Sequence, residues 1–358
     1  MKFPCITMLA TLLLTMPAAA QLQITPPAAT PNAAPEKQKP KPHALTKKKE
    51  AAPAPKPSAS PKPSPSPKPA ATVIPAPPAD NSNVDLVFGA YQRGQYKTAF
   101  DLATVRAQGG DPKAMTMLGE LYSNAMGIRR DYAKAAEWYK RAADAGDREA
   151  MFALAMLRIS GRGGSVDKSE AVKLMASAAK LGEPKAAYNL ALLYLDGQTL
   201  PQDVKRSAEL LRQAADAGLP EAQYALATFY KEGSGVPKDP ERAVRLLQAA
   251  SLADNVDAEV EYAIAMFNGT GTPKNQPAAI ALLRKASRQG SAIAQNRLAW
   301  VLINGAGTAI DKDEGFKWHL VAKTGGKGDP ELDKQLSYLP AEDRAKAEAA
   351  AKKWLGTK

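Results

Sequence analysis

The chain has 358 residues and a formal net charge of +12, with a single cysteine and two histidines. So few thiols and imidazoles exclude a disulfide framework, a thiolate zinc site and a zinc site built from several histidines. Because residues 1–82 hold +7 of the charge and residues 83–358 hold +5, the basic balance does not make the folded part a nucleic-acid binder.

The first twenty residues have the pattern of an export signal. Lys2 precedes a short, mostly apolar run at 6–16, and three alanines offer a cleavage site before Gln21. We therefore predict a signal peptide at residues 1–20 and a periplasmic location. The alternative is an uncleaved signal that anchors the chain to the inner membrane. Cleavage would also remove Cys5, the only cysteine.

Residues 21–82 are predicted to be a disordered linker rich in proline and lysine. Seventeen prolines lie in this stretch, and proline removes backbone donors and fixes φ, so neither helix nor sheet can form. Few large apolar residues are present to drive collapse. We expect an extended spacer with polyproline II character. The alternative is that its lysines contact anionic cell-wall polymer, either peptidoglycan or polysaccharide.

Six copies of one 36-residue pattern fill residues 111–326 without a change of phase. In the fourth copy, Pro220 suits the start of a helix, Gly233 its end, and Asp239 the cap of a second helix. One such pair cannot bury its own apolar stripes, so neighbouring pairs must stack. Two alanines recur in every copy, at Ala114, Ala150, Ala186, Ala222, Ala258 and Ala294 and at Ala142, Ala178, Ala214, Ala250, Ala286 and Ala322.

Each copy also places capping and closing residues at fixed positions. The second helix is expected to close on a left-handed glycine, and Asp254 breaks this rule in the fourth copy. Ala125 replaces a turn glycine in the first copy, so we expect its turn to be looser. The predicted caps of the second helices are Asp131, Asp167, Asp203, Asp239, Asn275 and Asp311.

The first copy resembles a known family. The residues that carry the resemblance are Leu118-Gly119, Tyr122, Gly127-Ile128, Asp131, Ala135 to Tyr139, Ala142-Ala143 and Gly146. This pattern resembles the Sel1-like repeats, which are relatives of the tetratricopeptide repeats. The resemblance implies an all-α fold, a right-handed α-solenoid of stacked helix pairs. It also implies adaptor or regulatory work in the bacterial cell envelope, such as signalling, polysaccharide export or secretion.

Two flanking pieces are predicted to cap the array. Residues 83–110 read as a shorter helix pair at the N-terminal end. Residues 327–358 read as C-terminal capping helices, the last of them highly charged. A polar final helix is what a repeat array needs to cover its last apolar face.

The candidate binding surface is the inner side that first helices form in a tetratricopeptide-like geometry. A protein or peptide partner from the envelope is expected there, with aromatic side chains as anchors. Packing between first helices is the alternative explanation for the same residues. Tyr188, Tyr224 and Trp300 are expected to be the exposed anchors. The candidate residues are Phe152, Met156, Tyr188, Leu192, Tyr224, Ile264, Phe267 and Trp300.

The sequence predicts neither catalysis nor a cofactor. His319 takes a position that other copies fill with Tyr139, Met175 or leucine, so it is expected to be a packing residue. The phosphate-binding motif of nucleotide hydrolases is absent from the sequence. Some cysteine-rich Sel1-like proteins are linked to penicillin binding or hydrolysis, so an enzyme that interacts with β-lactams is an alternative. The lack of cysteine pairs in this chain argues against it.

Overall fold

The computed structural model describes residues 82–356. The predicted signal peptide and the predicted linker up to residue 81 lie outside the described residues. Residues 82–356 form sixteen α-helices and no strand, so the all-α prediction is confirmed. The helices are α1 (Ser82–Gln92), α2 (Tyr96–Gln108), α3 (Pro112–Asn124), α4 (Tyr132–Asp144), α5 (Arg148–Ser160), α6 (Lys168–Lys180), α7 (Pro184–Asp196), α8 (Val204–Asp216), α9 (Pro220–Glu232), α10 (Pro240–Leu252), α11 (Val256–Asn268), α12 (Gln276–Arg288), α13 (Ala292–Asn304), α14 (Lys312–Thr324), α15 (Pro330–Ser337) and α16 (Ala341–Gly356).

Helices α3 to α14 form six stacked pairs, in which the odd-numbered helix is the first and the even-numbered helix the second. Every helix of these pairs has 13 residues. Each one packs against the helices next to it in sequence. The arrangement is the predicted solenoid of the tetratricopeptide type, since one pair buries its apolar stripes only against its neighbours.

Aspartate and asparagine side chains start the second helices as predicted. Asp131 Oδ1 accepts a hydrogen bond from Lys134 N at 3.0 Å, and Asp239 Oδ1 accepts one from Arg242 N at 2.9 Å. Asp167, Asp203, Asn275 and Asp311 make the equivalent bond three residues ahead. Each such cap stabilises its helix by about 1 kcal/mol. The predicted caps are therefore confirmed in all six repeats.

Two turns keep their geometry without glycine. Ala125 and Asp254 have φ of 58° and 59°, and among the described residues they are the non-glycine residues with positive φ. The backbone follows the same left-handed path that glycine takes in the other copies, so the expectation of a looser turn at Ala125 is wrong. The cost is strain, about 1 kcal/mol for an L-residue in this region.

Small residues set the distance between the two helices of a pair. A Cβ added to Gly119 would lie 2.5 Å from Cε1 of Tyr139, so the ring occupies the space that a side chain would need. Ala155, Ala191 and Ala299 take the same position in later copies and are fully buried. Side chains of this size allow close helix approach, which the repeat pattern predicted.

Both ends of the stack are closed by helices that depart from the repeat. At the N-terminal end α1 and α2 bury Val87, Ala99 and Ala103. At the other end Leu332 of α15 and Ala351 of α16 are buried in the cluster that contains α14. None of the helices in residues 82–356 combines the length and the apolar composition that a membrane crossing requires.

Candidate partner-binding surface

The first helices of the six repeats together form one continuous surface, here called the first-helix surface. It consists of the side chains two, six and nine residues after the repeating alanine of each copy. Because the first helices are equivalent in the stack, each of these positions forms a row across neighbouring repeats, and the three rows are called the first-helix rows. The predicted partner-binding residues all lie on these rows.

The apolar accessible part of this surface lies on α5, α7 and the start of α9, and is called the open segment. Its side chains are half-buried, so each keeps a face in solvent. Phe152, Met156, Tyr188 and Tyr224 also pack against the buried core. Tyr188 and Tyr224 are half-buried as well, and neither is lost in the core. The open segment consists of Phe152, Met156, Tyr188, Leu192 and Tyr224.

The part on α11 and α13 is closed and is called the closed segment. Ile264 is half-buried there, but Phe267 is 3% exposed and Trp300 is 8% exposed. The expectation of an exposed anchor at Trp300 is wrong, because its Nε1 donates a hydrogen bond to Asp329 Oδ2 at 2.9 Å. Asp329 caps α15, so the C-terminal cap covers the ring.

Buried polar groups that were not among the predicted site residues accompany the closed segment. Arg297 is 4% exposed and its Nη1 donates to Asn296 Oδ1 at 2.7 Å. Burial lowers the pKa of Arg297 to about 10, and the charges of Glu261 and Asp329 oppose the shift. The sequence contains a sign of these buried charges. Glu261 and Arg297 occupy the repeat position that earlier copies fill with Met117, Ala153, Asn189 and Ala225.

Two ion pairs tie this polar region to neighbouring helices. Lys231 Nζ lies 2.8 Å from Glu261 Oε2 and so links α9 to α11. Lys285 Nζ lies 2.6 Å from Oε2 of Glu259, whose side chain is fully buried. Paired and hydrogen-bonded charges of this kind fix one arrangement of the helices.

The two tyrosines of the open segment face carboxylates. Burial raises the pKa of the Tyr188 hydroxyl, and the charge of Glu221 raises it further. Burial also raises the pKa of Tyr224, with added contributions from Glu261 and Asp257. Both phenols are therefore protonated at neutral pH and act as hydrogen-bond donors with intact aromatic faces.

His319 is a packing residue, as predicted. It is fully buried, and its Nε2 lies 2.9 Å from Asp333 Oδ1 of α15, which also accepts a 2.8 Å hydrogen bond from Lys323 Nζ. Burial alone would raise the pKa of Asp333, but the hydrogen bonds from Lys323 and His319 outweigh it and lower the pKa. Within residues 82–356, no group of histidine, cysteine, aspartate and glutamate is placed to hold a metal ion.

Stacked helix pairs with a continuous surface on their first helices define a class of protein, the α-solenoids of tetratricopeptide type. The family model described as "Sel1 repeat" narrows the class, and the chain belongs to the Sel1 repeat family. The Sel1 repeat fold is a protein–protein interaction scaffold, and proteins with these repeats are generally non-enzymatic and bind protein partners. The matched residues are 112–147, 148–183, 184–219, 220–255, 256–291 and 292–326.

Solved structures show the same architecture. A Sel1 repeat protein from Oxalobacter formigenes is 27% identical with a TM-score of 0.61, and the match covers 68% of this chain and 99% of that one. The c5321 protective antigen of uropathogenic Escherichia coli strains, which displays an SLR fold, is 23% identical with a TM-score of 0.51, covering 76% and 68%. No curated protein is similar enough in sequence to count as a relative.

Proposed function

We propose that this chain is an exported, non-enzymatic adaptor of the bacterial cell envelope whose open segment binds a protein or peptide partner. One observation carries the proposal: half-buried apolar and aromatic side chains follow one another across three first helices, from Phe152 through Tyr188 to Tyr224. A surface already ordered by the scaffold loses little conformational entropy on binding.

In the part of the chain that the structure describes, the other strongly exposed apolar side chains are scattered. Val105, Val166, Leu252 and Ile310 are at least half exposed, but they lie on different helices and turns of the stack. Single exposed apolar residues are normal on protein surfaces. The open segment differs because its residues repeat at one register position on adjacent first helices, which favours partner binding there.

Site-specific photo-crosslinking in intact cells tests the proposal. A photoreactive amino acid at position 188 or 192 should capture one protein, whereas the same group at the exposed Lys205 of α8 should not. The Tyr224→Ala substitution should reduce the yield at position 192, with helicity by circular dichroism unchanged. Equal capture at positions 192 and 205, or capture at 205 alone, would contradict the proposal.

Export rests on the N-terminal pattern and has its own test. Cell fractionation should find the protein in the envelope, and N-terminal sequencing of the purified protein should begin at Gln21. A mature protein that begins at residue 1 in the membrane fraction would instead support the uncleaved anchor. A protein found only in the cytoplasm would contradict an envelope adaptor.

Cell-wall polymer is the second candidate partner, because residues 1–82 carry +7. In this alternative, the basic residues 21–82 contact the polymer and the solenoid does not. Pelleting with isolated peptidoglycan should then be lost on deletion of residues 21–82 and should weaken with salt, as attraction between exposed charges does. Unchanged pelleting after the deletion would exclude this role for the segment.

A further inference from the structure

Three successive turns near the N-terminal end of the stack form a strongly basic surface. They are the turn between α1 and α2 and the turns inside the first two repeats. With the helix ends beside them they comprise residues 92–99, 124–134 and 158–170, and this surface is called the basic edge. It holds eight lysines and arginines against three carboxylates, a net charge of +5. Residues 83–358 also carry +5 in total, so the rest of them are neutral as a group.

Close contacts at two glycines place the three turns side by side. A Cβ added to Gly127 would lie 2.8 Å from the backbone nitrogen of Lys97, so the second turn lies on the start of α2. A Cβ added to Gly163 would collide with the carbonyl oxygen of Tyr132, so the third turn lies on the start of α4. Both glycines have positive φ, which glycine adopts without strain. The cations of the three turns therefore form one surface.

Two arginines from successive turns meet at one aromatic ring. The Cζ of Arg130 lies 5.8 Å from the centroid of the Tyr132 ring, and the Cζ of Arg162 in the next turn lies 5.4 Å from the same centroid. Lys134 Nζ lies 5.5 Å from the ring centroid of Tyr122. Such contacts attract the cation to the ring and restrict a long side chain before any ligand binds. The basic edge is thus partly preorganised.

The three carboxylates of the basic edge are already engaged. Asp131 and Asp167 accept backbone hydrogen bonds as the caps of α4 and α6, and Glu170 Oε2 lies 3.0 Å from Arg158 Nε. Five exposed cations of the basic edge make no ion pair with a carboxylate within residues 82–356. This unused positive charge suits an anionic ligand. The five cations are Arg93, Lys97, Arg129, Arg130 and Lys168.

The charges of the chain itself argue for an external ligand. Residues 1–82 carry +7 and have the same sign as the basic edge. A second copy offers little negative charge, because the other parts of residues 83–358 are neutral as a group. The most acidic turn of the later repeats, at residues 304–314, already binds Arg284 and Lys346 through its own carboxylates.

The position of the basic edge favours a protein as that ligand. The third turn begins at the C-terminal end of α5, the helix that carries Phe152 and Met156 of the open segment. Met156 precedes Gly161 of this turn by five residues, which is about 7.5 Å along a helix. The half-buried Ile159 lies between them. A partner segment that leaves the open segment along α5 therefore meets the basic edge next.

We propose that the basic edge binds an acidic segment of a protein partner, with Arg129 and Arg130 donating hydrogen bonds to its aspartate and glutamate side chains. A planar guanidinium can donate two parallel hydrogen bonds to one carboxylate, which a lysine ammonium cannot do. The inference rests on the proposed function in that the partner is a protein, and it adds a second contact surface beside the open segment.

Fluorescence anisotropy with the full chain and synthetic peptides tests the sign of the ligand. The probe is a labelled peptide of alternating glutamate and serine, and its control has glutamine in place of glutamate. At low salt the glutamate peptide should bind at least tenfold more tightly than the glutamine peptide, and its affinity should fall as salt is added. Equal binding of the two peptides would overturn the proposal.

Paired variants test the location of binding. Arg129→Gln with Arg130→Gln should weaken the glutamate peptide about tenfold and reduce the salt dependence of its affinity. The matched control, Lys352→Gln with Lys353→Gln, removes the same charge from two adjacent exposed cations of α16 and should stay within twofold. Both variants keep the basic residues 1–82, so any contribution of that segment is the same in each. Equal losses in the two variants would show a general charge effect and overturn the proposal.

Anionic vesicles test a lipid surface as the alternative ligand. Vesicles of phosphatidylglycerol should lose less affinity than the glutamate peptide when Arg129 and Arg130 are replaced by glutamine, with circular dichroism confirming the fold of the variant. A larger loss with the vesicles than with the peptide would assign the basic edge to a membrane surface and overturn the proposal.

Photo-crosslinking in cells separates this inference from the adaptor proposal. A photoreactive amino acid at position 129 should capture the protein that position 192 captures, through a segment rich in aspartate and glutamate. Capture at position 192 without capture at position 129 would overturn this inference and leave the adaptor proposal standing. Capture of an acidic protein segment at position 129 without capture at position 192 would support the basic edge and contradict the open segment as the binding surface.

Discussion

The open segment and the closed segment share the helical backbone of the repeat but differ in how far their side chains are exposed. On α5 and α7 the first-helix rows are half-buried apolar side chains, whereas on α11 and α13 they are mostly buried and are joined by polar contacts around Arg297 and Glu259. At α13 the difference has a direct structural cause. This last first helix meets a cap instead of another repeat, and Nε1 of Trp300 donates a hydrogen bond to Asp329 of that cap.

A repeat position therefore does not define a role by itself. Tyr224 and Trp300 are both aromatic residues on the first-helix rows. One keeps an accessible face, and the other is 8% exposed and hydrogen-bonded to the cap. We therefore expect substitutions in the open segment to change binding and substitutions in the closed segment to change stability.

The largest expected effect separates these two aromatic residues. Trp300→Ala should lower the free energy of unfolding by about 3–5 kcal/mol, because it removes a large buried ring and leaves a cavity. Tyr224→Ala should cost less, about 1–2 kcal/mol, since the ring keeps an accessible face, yet it should weaken partner binding about tenfold. Urea unfolding followed by circular dichroism measures the change in stability, and the crosslinking yield at position 192 measures the change in binding. Similar losses of stability in the two variants would mean that Tyr224 is a core residue like Trp300.

A smaller effect is expected at the contact that closes the surface. Asp329→Ala removes the cap of α15 and leaves the Trp300 N–H without its acceptor, which together should cost about 2–3 kcal/mol. Asp329→Asn keeps an acceptor oxygen and should cost less than half of that. The matched control beside the open segment, Glu221→Ala at the start of α9, should stay within about 0.5 kcal/mol by the same urea measurement. An equal cost for Asp329→Ala and Glu221→Ala would mean that the cap does not hold the closed segment.

Much of this architecture could be predicted from the sequence. The 36-residue period gave the helix pairs, and residues such as Asp131 and Asp239 gave the starts of the second helices. These features are local, because a cap or a turn depends on a few neighbouring residues. A prediction from the repeat period assumes that all copies are equivalent, and that assumption holds for the two alanines that recur in every copy.

The burial of the Trp300 side chain could not be predicted in the same way. Its burial depends on where α15 begins relative to α13, and that junction lies outside the repeating pattern. The turn at Ala125 differs from the prediction for a related reason. The packing of the neighbouring helices fixes the left-handed turn, so Ala125 keeps a strained positive φ.

The two strained turns provide a test at two places in the stack, the end of α3 and the turn after α10. Ala125→Gly relieves a positive φ of 58° at the end of α3 and should raise the free energy of unfolding by about 0.5 kcal/mol. Asp254→Gly should gain less, because aspartate tolerates this conformation better than alanine does. Neither change touches the first-helix surface, so the crosslinking yield at position 192 should stay the same. A change in that yield would show that binding depends on the turns as well as on the first-helix surface.

The smallest expected effect concerns acid and the C-terminal cap. The pKa of Asp333 is lower in the folded state than its ordinary value, so its contacts with His319 and Lys323 add stability above about pH 4. That contribution is lost as the pH falls through the folded pKa, because the carboxyl must then be protonated. Asp333 is partly exposed, so the contribution is less than about 1 kcal/mol.

Thermal unfolding between pH 7 and pH 2 measures this contribution. The midpoint of the unsubstituted chain should fall more steeply below pH 4 than that of Asp333→Asn, and the two should converge at the lowest pH. Tryptophan fluorescence should show the change, because Trp318 and Trp354 pack edge to face at 5.1 Å in this cap. The open segment has no part in this contact, so Tyr224→Ala should leave the pH difference between the two chains unaltered. Parallel acid curves for the two chains would mean that Asp333 does not hold the cap.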